Sequence, residues 1–208
     1  MEQDKSKIAI MIMAAGASSR MGRTKQLLPW GTTTLIGNAI KNAKASEACE
    51  VFVVLGAYAD VIKNSIELKE KDLIYNKDWE SGLGSSIAHA TKAILTQSED
   101  YDGVLVMLAD QPLIDASYLN QMITEFYYSD FSIIATKYKQ GNGVPAIFGA
   151  SHFLELQQLN SEHGAKDIIR LNKNKLLSLD PKGKTADVDT YEEYLRMGGK
   201  EYIVQRIK

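Results

Sequence analysis

Cysteine is almost missing from this chain. Cys49 stands alone among 208 residues, so no disulfide can close within it and no thiolate cluster can hold a metal. Because it follows Ala48 beside an apolar strand, it reads as a buried, inert thiol. Histidine is nearly as scarce: His89, His152 and His163 are scattered, and none stands in the His-x-x-x-His spacing of a zinc site. The Gly-x-Ser-x-Gly elbow of serine hydrolases is absent too. No apolar run reaches the roughly 18 residues a membrane span needs, and the opening MEQDKSK has no signal-peptide core. Net charge is −2 with no basic block, which argues against a nucleic-acid binder. Internal repeats and low-complexity linkers are likewise missing. These absences lead us to expect a cytoplasmic protein with no membrane or nucleic-acid partner, folded as one domain over residues 1–208.

What is present is organised around Ile8 to Gly31, IAIMIMAAGASSRMGRTKQLLPWG. Ile8 to Met13 is short, continuous and apolar, as a buried strand should be. It stops at Ala14-Ala15-Gly16, where small side chains let a ligand approach the backbone. Ser18, Ser19, Arg20, Gly22, Arg23 and Lys25 follow within ten residues. Loop amides, hydroxyls and cations after a buried strand describe a place to hold phosphates. The loop is neither a P-loop, lacking Gly-Lys-Ser/Thr, nor a Gly-x-Gly-x-x-Gly dinucleotide fingerprint.

Downstream, strands and helices alternate. Thr32-Thr33-Thr34 offers caps to a helix carrying Leu35, Ile36, Ala39, Ile40 and Ala43. Val51–Leu55 and Asp72–Tyr75 read as strands. A second glycine-rich stretch, DWESGLGSS, precedes a helix that Ser85 and Ser86 are expected to cap. Gly103–Leu108 is a strand that stops at Asp110-Gln111-Pro112. Asp115 caps the next helix, Phe131–Tyr138 is a strand, and Gly141–Gly149 reads as a loop with a short strand at Ala146–Phe148. Two helices, a strand at Lys175–Leu179 and a helix from Asp189 complete an α/β sandwich with a mostly parallel sheet. In such sheets ligands bind beyond the carboxyl ends of strands, here at Gly16, Gly56 and Asp110.

Asp110 follows the apolar VLVML directly, which sets its carboxylate at that edge. Asp187-Val188-Asp189-Thr190 places more acid at the head of the last helix. Each has an ordinary reading, Asp189 as a helix cap and Asp110 as a turn former. Beside a phosphate loop, they suggest a magnesium ion held by one or two carboxylates and the substrate phosphates.

MAAGASSRMGRTKQLLPWG resembles the signature loop of the MobA-like nucleotidyltransferases of molybdenum cofactor synthesis, above all its cytidylyltransferase branch (Ala-Ala-Gly-x-Ser-x-Arg-Met-Gly-x-x-Lys). LADQP is similar to the family's Leu-Gly-Asp-Gln-Pro, DVDT to its closing Asp-Val-Asp-Thr, and NKDWESGLGSS to its base-bordering segment. The resemblance implies a three-layer α/β/α Rossmann-like, glycosyltransferase-A-like fold. It implies that CMP passes from CTP to a molybdopterin-type acceptor phosphate, with Mg2+ as cofactor and pyrophosphate released. Residue by residue, it gives triphosphate binding and catalysis to Arg20, Lys25 and Asp110. Nucleotide contacts fall to Ala14, Ala15, Gly16, Ser18, Ser81, Gly82, Gly84 and Ser85, and the metal to Asp110 and Asp189. In SEHGAK, similar to Gly-Asp-x-Gly-Ala-Arg, Lys166 is either an acceptor-phosphate contact or a solvated lysine. One departure is Val144, where the family has His or Asn before the proline. GTP, a sugar or alcohol phosphate acceptor, an NAD(P)H-dependent reductase and a non-catalytic carrier are the alternatives.

Overall fold

The computed structural model describes residues 6–18, 21–22, 24–98, 100–160, 162 and 164–199. Its first strand, β1 (Ile8–Ala14), is buried along its whole length. Successive side chains on a strand face opposite ways, and β1 feeds two cores accordingly. Ile8, Ile10 and Ile12 enter one, while Ala9, Met11 and Met13 enter the other.

After β1 the chain makes a small hairpin, β2 (Pro29–Trp30) and β3 (Thr33–Thr34), and then α1 (Leu35–Lys44). Gly31, at φ +58°, supplies the left-handed residue that a two-residue hairpin turn requires. Of the three threonines offered to α1, Thr34 is the cap, accepting from the Gly37 amide. There follow β4 (Glu50–Leu55), α2 (Ala59–Lys63), β5 (Leu73–Tyr75), α3 (Leu83–Gln97), β6 (Gly103–Leu108) and α4 (Ala116–Tyr128). The last third holds β7 (Ile133–Tyr138), β8 (Gly141–Gly149), α5 (Phe153–Gln157), α6 (Lys166–Leu171), β9 (Leu176–Leu179) and α7 (Tyr191–Arg196).

Seven strands form one sheet in the order β5-β4-β1-β6-β8-β7-β9, with β8 alone antiparallel to its neighbours. Apolar residues of α1, α2 and α4 pack on one face, and those of α3, α5 and α6 on the other. The fold is therefore the expected three-layer α/β/α arrangement on a mostly parallel sheet. No helix among the described residues is long and apolar enough to cross a membrane.

Several local expectations need correction. Gly141–Gly149 is one continuous strand rather than a loop and a short strand, because β7 pairs with both of its ends. Pro145, which cannot donate to a ladder, is absorbed where the register slips between Ala135 and Thr136, and its carbonyl accepts from Thr136 Oγ1 at 2.7 Å. Helix α3 starts at Leu83 with Gly82 at its N-cap, so Ser85 and Ser86 lie inside it and cap nothing. Cys49 is exposed, not buried. Packing around its sulfur, and then the Glu50 carboxylate, push its thiol pKa up, so it is still no nucleophile.

A third, smaller core joins the β2–α1 region to the segment that carries α7. Leu28, Leu35, Val188 and Tyr194 are buried together, and Tyr194 Oη donates to the Pro29 carbonyl at 2.5 Å. Helix α7 is capped by Thr190, not Asp189. Thr190 Oγ1 accepts from the Glu193 amide at 3.2 Å, and the Glu193 carboxylate accepts from the Thr190 amide at 2.9 Å. Thr190→Ala should cost about 1 kcal/mol in urea unfolding, and Asp189→Asn should cost less; the reverse ranking contradicts this assignment.

Candidate active site

A cavity of about 560 Å3 opens at the carboxyl edge of β1 and β6, a volume typical of small-molecule sites. Ala14, Ala15, Gly16 and Ser18 line it, together with Lys25, Gly82 and Asp110. It thus brings together two glycine-rich stretches and the end of β6.

Lys25 Nζ donates to Asp110 Oδ2 at 2.6 Å and to Asp189 Oδ1 at 3.3 Å. The Lys25 and Asp110 side chains are 12% and 22% exposed, and Asp189 is 47% exposed. Residues far apart in the chain therefore converge on one ammonium group. Asp189 is held there by its neighbour, since the Val188 amide donates to the Asp110 carbonyl at 3.0 Å. The other carboxylate oxygen, Asp110 Oδ1, is buried without a hydrogen-bond partner. A buried anionic oxygen without a partner is costly in a finished protein, and a bound cation would satisfy it. The donor set fits magnesium, which takes one or two carboxylates and completes its shell with phosphates and water. Among the described residues no group of three or more His, Cys, Asp or Glu side chains could hold a metal by itself, so here the substrate phosphates would have to complete the shell.

Asp187 belongs to the same neighbourhood. Gln111 Nε2 donates to Asp187 Oδ1 at 2.8 Å and to Tyr138 Oη at 2.9 Å, and Tyr138 Oη donates in turn to the Val144 carbonyl. Desolvation, and then the charges of Asp110 and Asp189, raise the Asp187 pKa, partly offset by the Gln111 hydrogen bond and by Lys25. Val144 thus meets this network through its main chain, which any side chain at that position leaves available.

The signature loop is braced by a residue the sequence reading passed over. Gln26 is 5% exposed, and its Nε2 donates to the carbonyls of Ala14 at 3.3 Å and Gly16 at 3.0 Å. Its Oε1 accepts from Ser18 Oγ at 3.2 Å. The polar residue inside KQLLPWG was the available signal. Arg20 lies outside the described residues.

In the second stretch, Gly82 lines the cavity, whereas Ser81, Gly84 and Ser85 do not. Ser85 Oγ turns back to donate to the Asp78 carbonyl at 3.2 Å and accepts from Asn76 Nδ2 at 3.3 Å. Trp79, Ser86 and Glu162 take places on the wall that sequence reasoning had not assigned. Lys166 is exposed at the start of α6 and is not in the lining; Glu162, four residues earlier, is.

The glycines divide by purpose. A Cβ on Gly56 would lie 2.6 Å from both the Ala15 carbonyl oxygen and Trp79 Cβ, so its absence seats the loop against β4. Gly82, at φ +98°, would place a Cβ 2.8 Å from Glu162 Cα. Gly16 would meet nothing within 4 Å, so the fold does not require it. Gly82→Ala should therefore lose more than about 1 kcal/mol, while Gly16→Ala should stay within about 0.5 kcal/mol of the parent. Urea midpoints at constant m-value decide it, and equal losses would contradict this division.

The profile of the MobA-like NTP transferase domain matches residues 10–178. PucB, the purine catabolism protein of Bacillus subtilis, is 26% identical over 199 residues, 88% of this chain and 92% of that protein. Nicotine blue oxidoreductase of Paenarthrobacter nicotinovorans is 33% identical over 114 residues, so the match spans about half of each chain (54% and 54%). Molybdenum cofactor cytidylyltransferase of Escherichia coli is 33% identical over 94 residues, 44% of this chain and 48% of that one. Among solved structures, Rv0371c of Mycobacterium tuberculosis superposes with a TM-score of 0.78 at 27% identity, covering 91% of this chain and 97% of that one. A second structure of that protein is a complex with manganese, with a TM-score of 0.69 at 26% identity and 91% and 97% coverage. On the match to residues 10–178, with the same layers and sheet beneath it, the chain belongs to the MobA-like NTP transferase family.

Proposed function

We propose that the protein is a magnesium-dependent cytidylyltransferase that joins the CMP of CTP to the phosphate of a molybdopterin-type cofactor. The observation that carries this reading is Lys25 held between Asp110, which shares the cavity lining with it, and Asp189, which lies outside that lining, with Asp110 Oδ1 buried and unpartnered. The acceptor chemistry is supported by the relative from Escherichia coli named for that reaction. Use of a divalent cation is supported by the manganese complex of the mycobacterial neighbour.

An acceptor phosphate oxygen attacks the α-phosphorus of CTP and forms the new P–O bond. The bond from that phosphorus to its bridging oxygen breaks, and the electron pair leaves with pyrophosphate. A terminal phosphate has a second pKa near about 6, so the attacking oxygen needs no protein base at neutral pH. That agrees with a cavity whose lining includes no described histidine. The chain's work is positioning and charge neutralisation. The β1 loop amides face the phosphates, and Lys25 exchanges its carboxylate partners for phosphate oxygens. Asp110 and Asp189 would hold magnesium, which when bound neutralises charge on the phosphates.

Ala15 favours the smaller base. It is 6% exposed on the cavity wall, and its carbonyl accepts from the Ala57 amide at 3.0 Å, so its methyl group is fixed. A pocket that is one methyl too small discriminates by about 1–3 kcal/mol. CTP should therefore be used roughly 10- to 200-fold more efficiently than GTP, and Ala15→Gly should narrow the gap. Equal efficiencies with the parent protein would sink the CTP preference and leave nucleotidyl transfer standing.

Asp110→Asn and Asp189→Asn should each abolish most turnover, and the double variant should lose little more, because groups that act as one unit are not additive. Turnover against magnesium concentration for all four proteins is the measurement. Full activity of Asp189→Asn at ordinary magnesium would leave Asp110 to bind the ion without it.

A further inference from the structure

Glu162 reaches the nucleotide cavity from a distant part of the chain. It lies in the turn between α5 and α6, yet it lines the same wall as Trp79, Gly82 and Leu83. Two close approaches dock this turn on the start of α3. A Cβ on Gly82 would come within 2.8 Å of Glu162 Cα, and one on Gly164 would come within 2.8 Å of Leu83 Cδ2. Ala165, next in the chain, is 2% exposed and belongs to the core beneath α3. The backbone is therefore anchored at Glu162 itself and again at Gly164 and Ala165.

An ionised carboxylate accepts hydrogen bonds and donates none. It repels phosphate, so the triphosphate belongs with Lys25 and the donor-bearing part of the nucleotide belongs beside Glu162. Trp79 and Leu83 give this stretch of wall apolar surface, which suits a planar base more than a sugar, and a second exposed carboxylate, Glu80, lines it between them. Cytosine presents an amino group at C4, where uracil presents a carbonyl oxygen. We propose that Glu162 is a specificity-determining residue that accepts a hydrogen bond from the exocyclic amino group of the base and so selects CTP over UTP. The proposal rests on the nucleotidyl-transfer reading and deepens it. A carboxylate facing the uracil oxygen would leave two acceptors opposed, which penalises UTP beyond the loss of one hydrogen bond.

The test compares CTP and UTP by calorimetric binding in the presence of magnesium, and by turnover efficiency, for the parent protein, Glu162→Gln and Glu162→Ala. Glu162 is exposed, so neither change threatens folding. The parent should prefer CTP by about tenfold or more, the span of a charge-assisted hydrogen bond. Glutamine can both donate and accept, so Glu162→Gln should bring UTP to within about threefold of CTP, mostly by raising UTP affinity. Glu162→Ala should lose the preference by weakening CTP. An unchanged CTP-to-UTP ratio in both variants overturns the proposal, as does an equal loss for both nucleotides, which would put the carboxylate on the ribose. A parent protein that binds neither pyrimidine triphosphate overturns the cytidylyl reading itself, an outcome distinct from binding both with an unmoved ratio.

Discussion

Two carboxylates brought close together repel, and this site can bring them together because a cation stands between them. Lys25 holds Asp110 and Asp189 at 2.6 and 3.3 Å, across 85 and 164 residues of chain. The contact ties the signature loop to the end of β6 and to the segment before α7. A largely buried ion pair sets its attraction against the cost of taking both charges out of water and is weak evidence for stability, so the hydrophobic cluster of Leu28, Leu35, Val188 and Tyr194 does most of the holding. What the ion pair sets is position. It leaves more negative charge than one lysine balances, and Asp110 Oδ1 stays buried without a hydrogen-bond partner.

The sheet explains why these groups can be held to such tolerances. β1 is buried on both faces and paired with β4 and β6 along its length, so the loop beyond it starts from one of the most rigid points in the protein. β6 lies directly beside it and delivers Asp110 to the same edge. The antiparallel β8 brings its own first residues to that edge, and with them the Tyr138–Val144 contact that supports Gln111 and Asp187. One half of the edge thus carries the two glycine-rich stretches and the other the Gln111–Asp187–Tyr138 network.

The parts legible in the sequence were those whose signal is local. A continuous apolar run ending in Ala-Ala-Gly reads directly as a buried strand opening on a backbone-lined loop, and Asp110 directly after VLVML reads as standing at a sheet edge. Asp189 was ambiguous because Asp-Thr before a helix fits either residue as the cap; the geometry gives the cap to Thr190, which leaves Asp189 free of that duty and turned to Lys25. Glu162 and Gln26 were invisible for a different reason. Their roles depend on where distant backbone lies, Gly82 in one case and the carbonyls of Ala14 and Gly16 in the other, and no spacing rule encodes that. The hairpin at Gly31 and the slip that absorbs Pro145 are likewise settled by pairing partners rather than by the segments' own preferences.

The most direct test of nucleotidyl transfer at this cavity is a thermal-unfolding panel of CTP, GTP, UTP and NADPH, each with and without magnesium. A ligand present at about 100 times its dissociation constant stabilises the folded state by about 2.7 kcal/mol. CTP should give a shift of that order only when magnesium is present, and Asp110→Asn should lose it. Stabilisation by NADPH without magnesium, with no response to any triphosphate, would contradict the account and favour a reductase on the same fold.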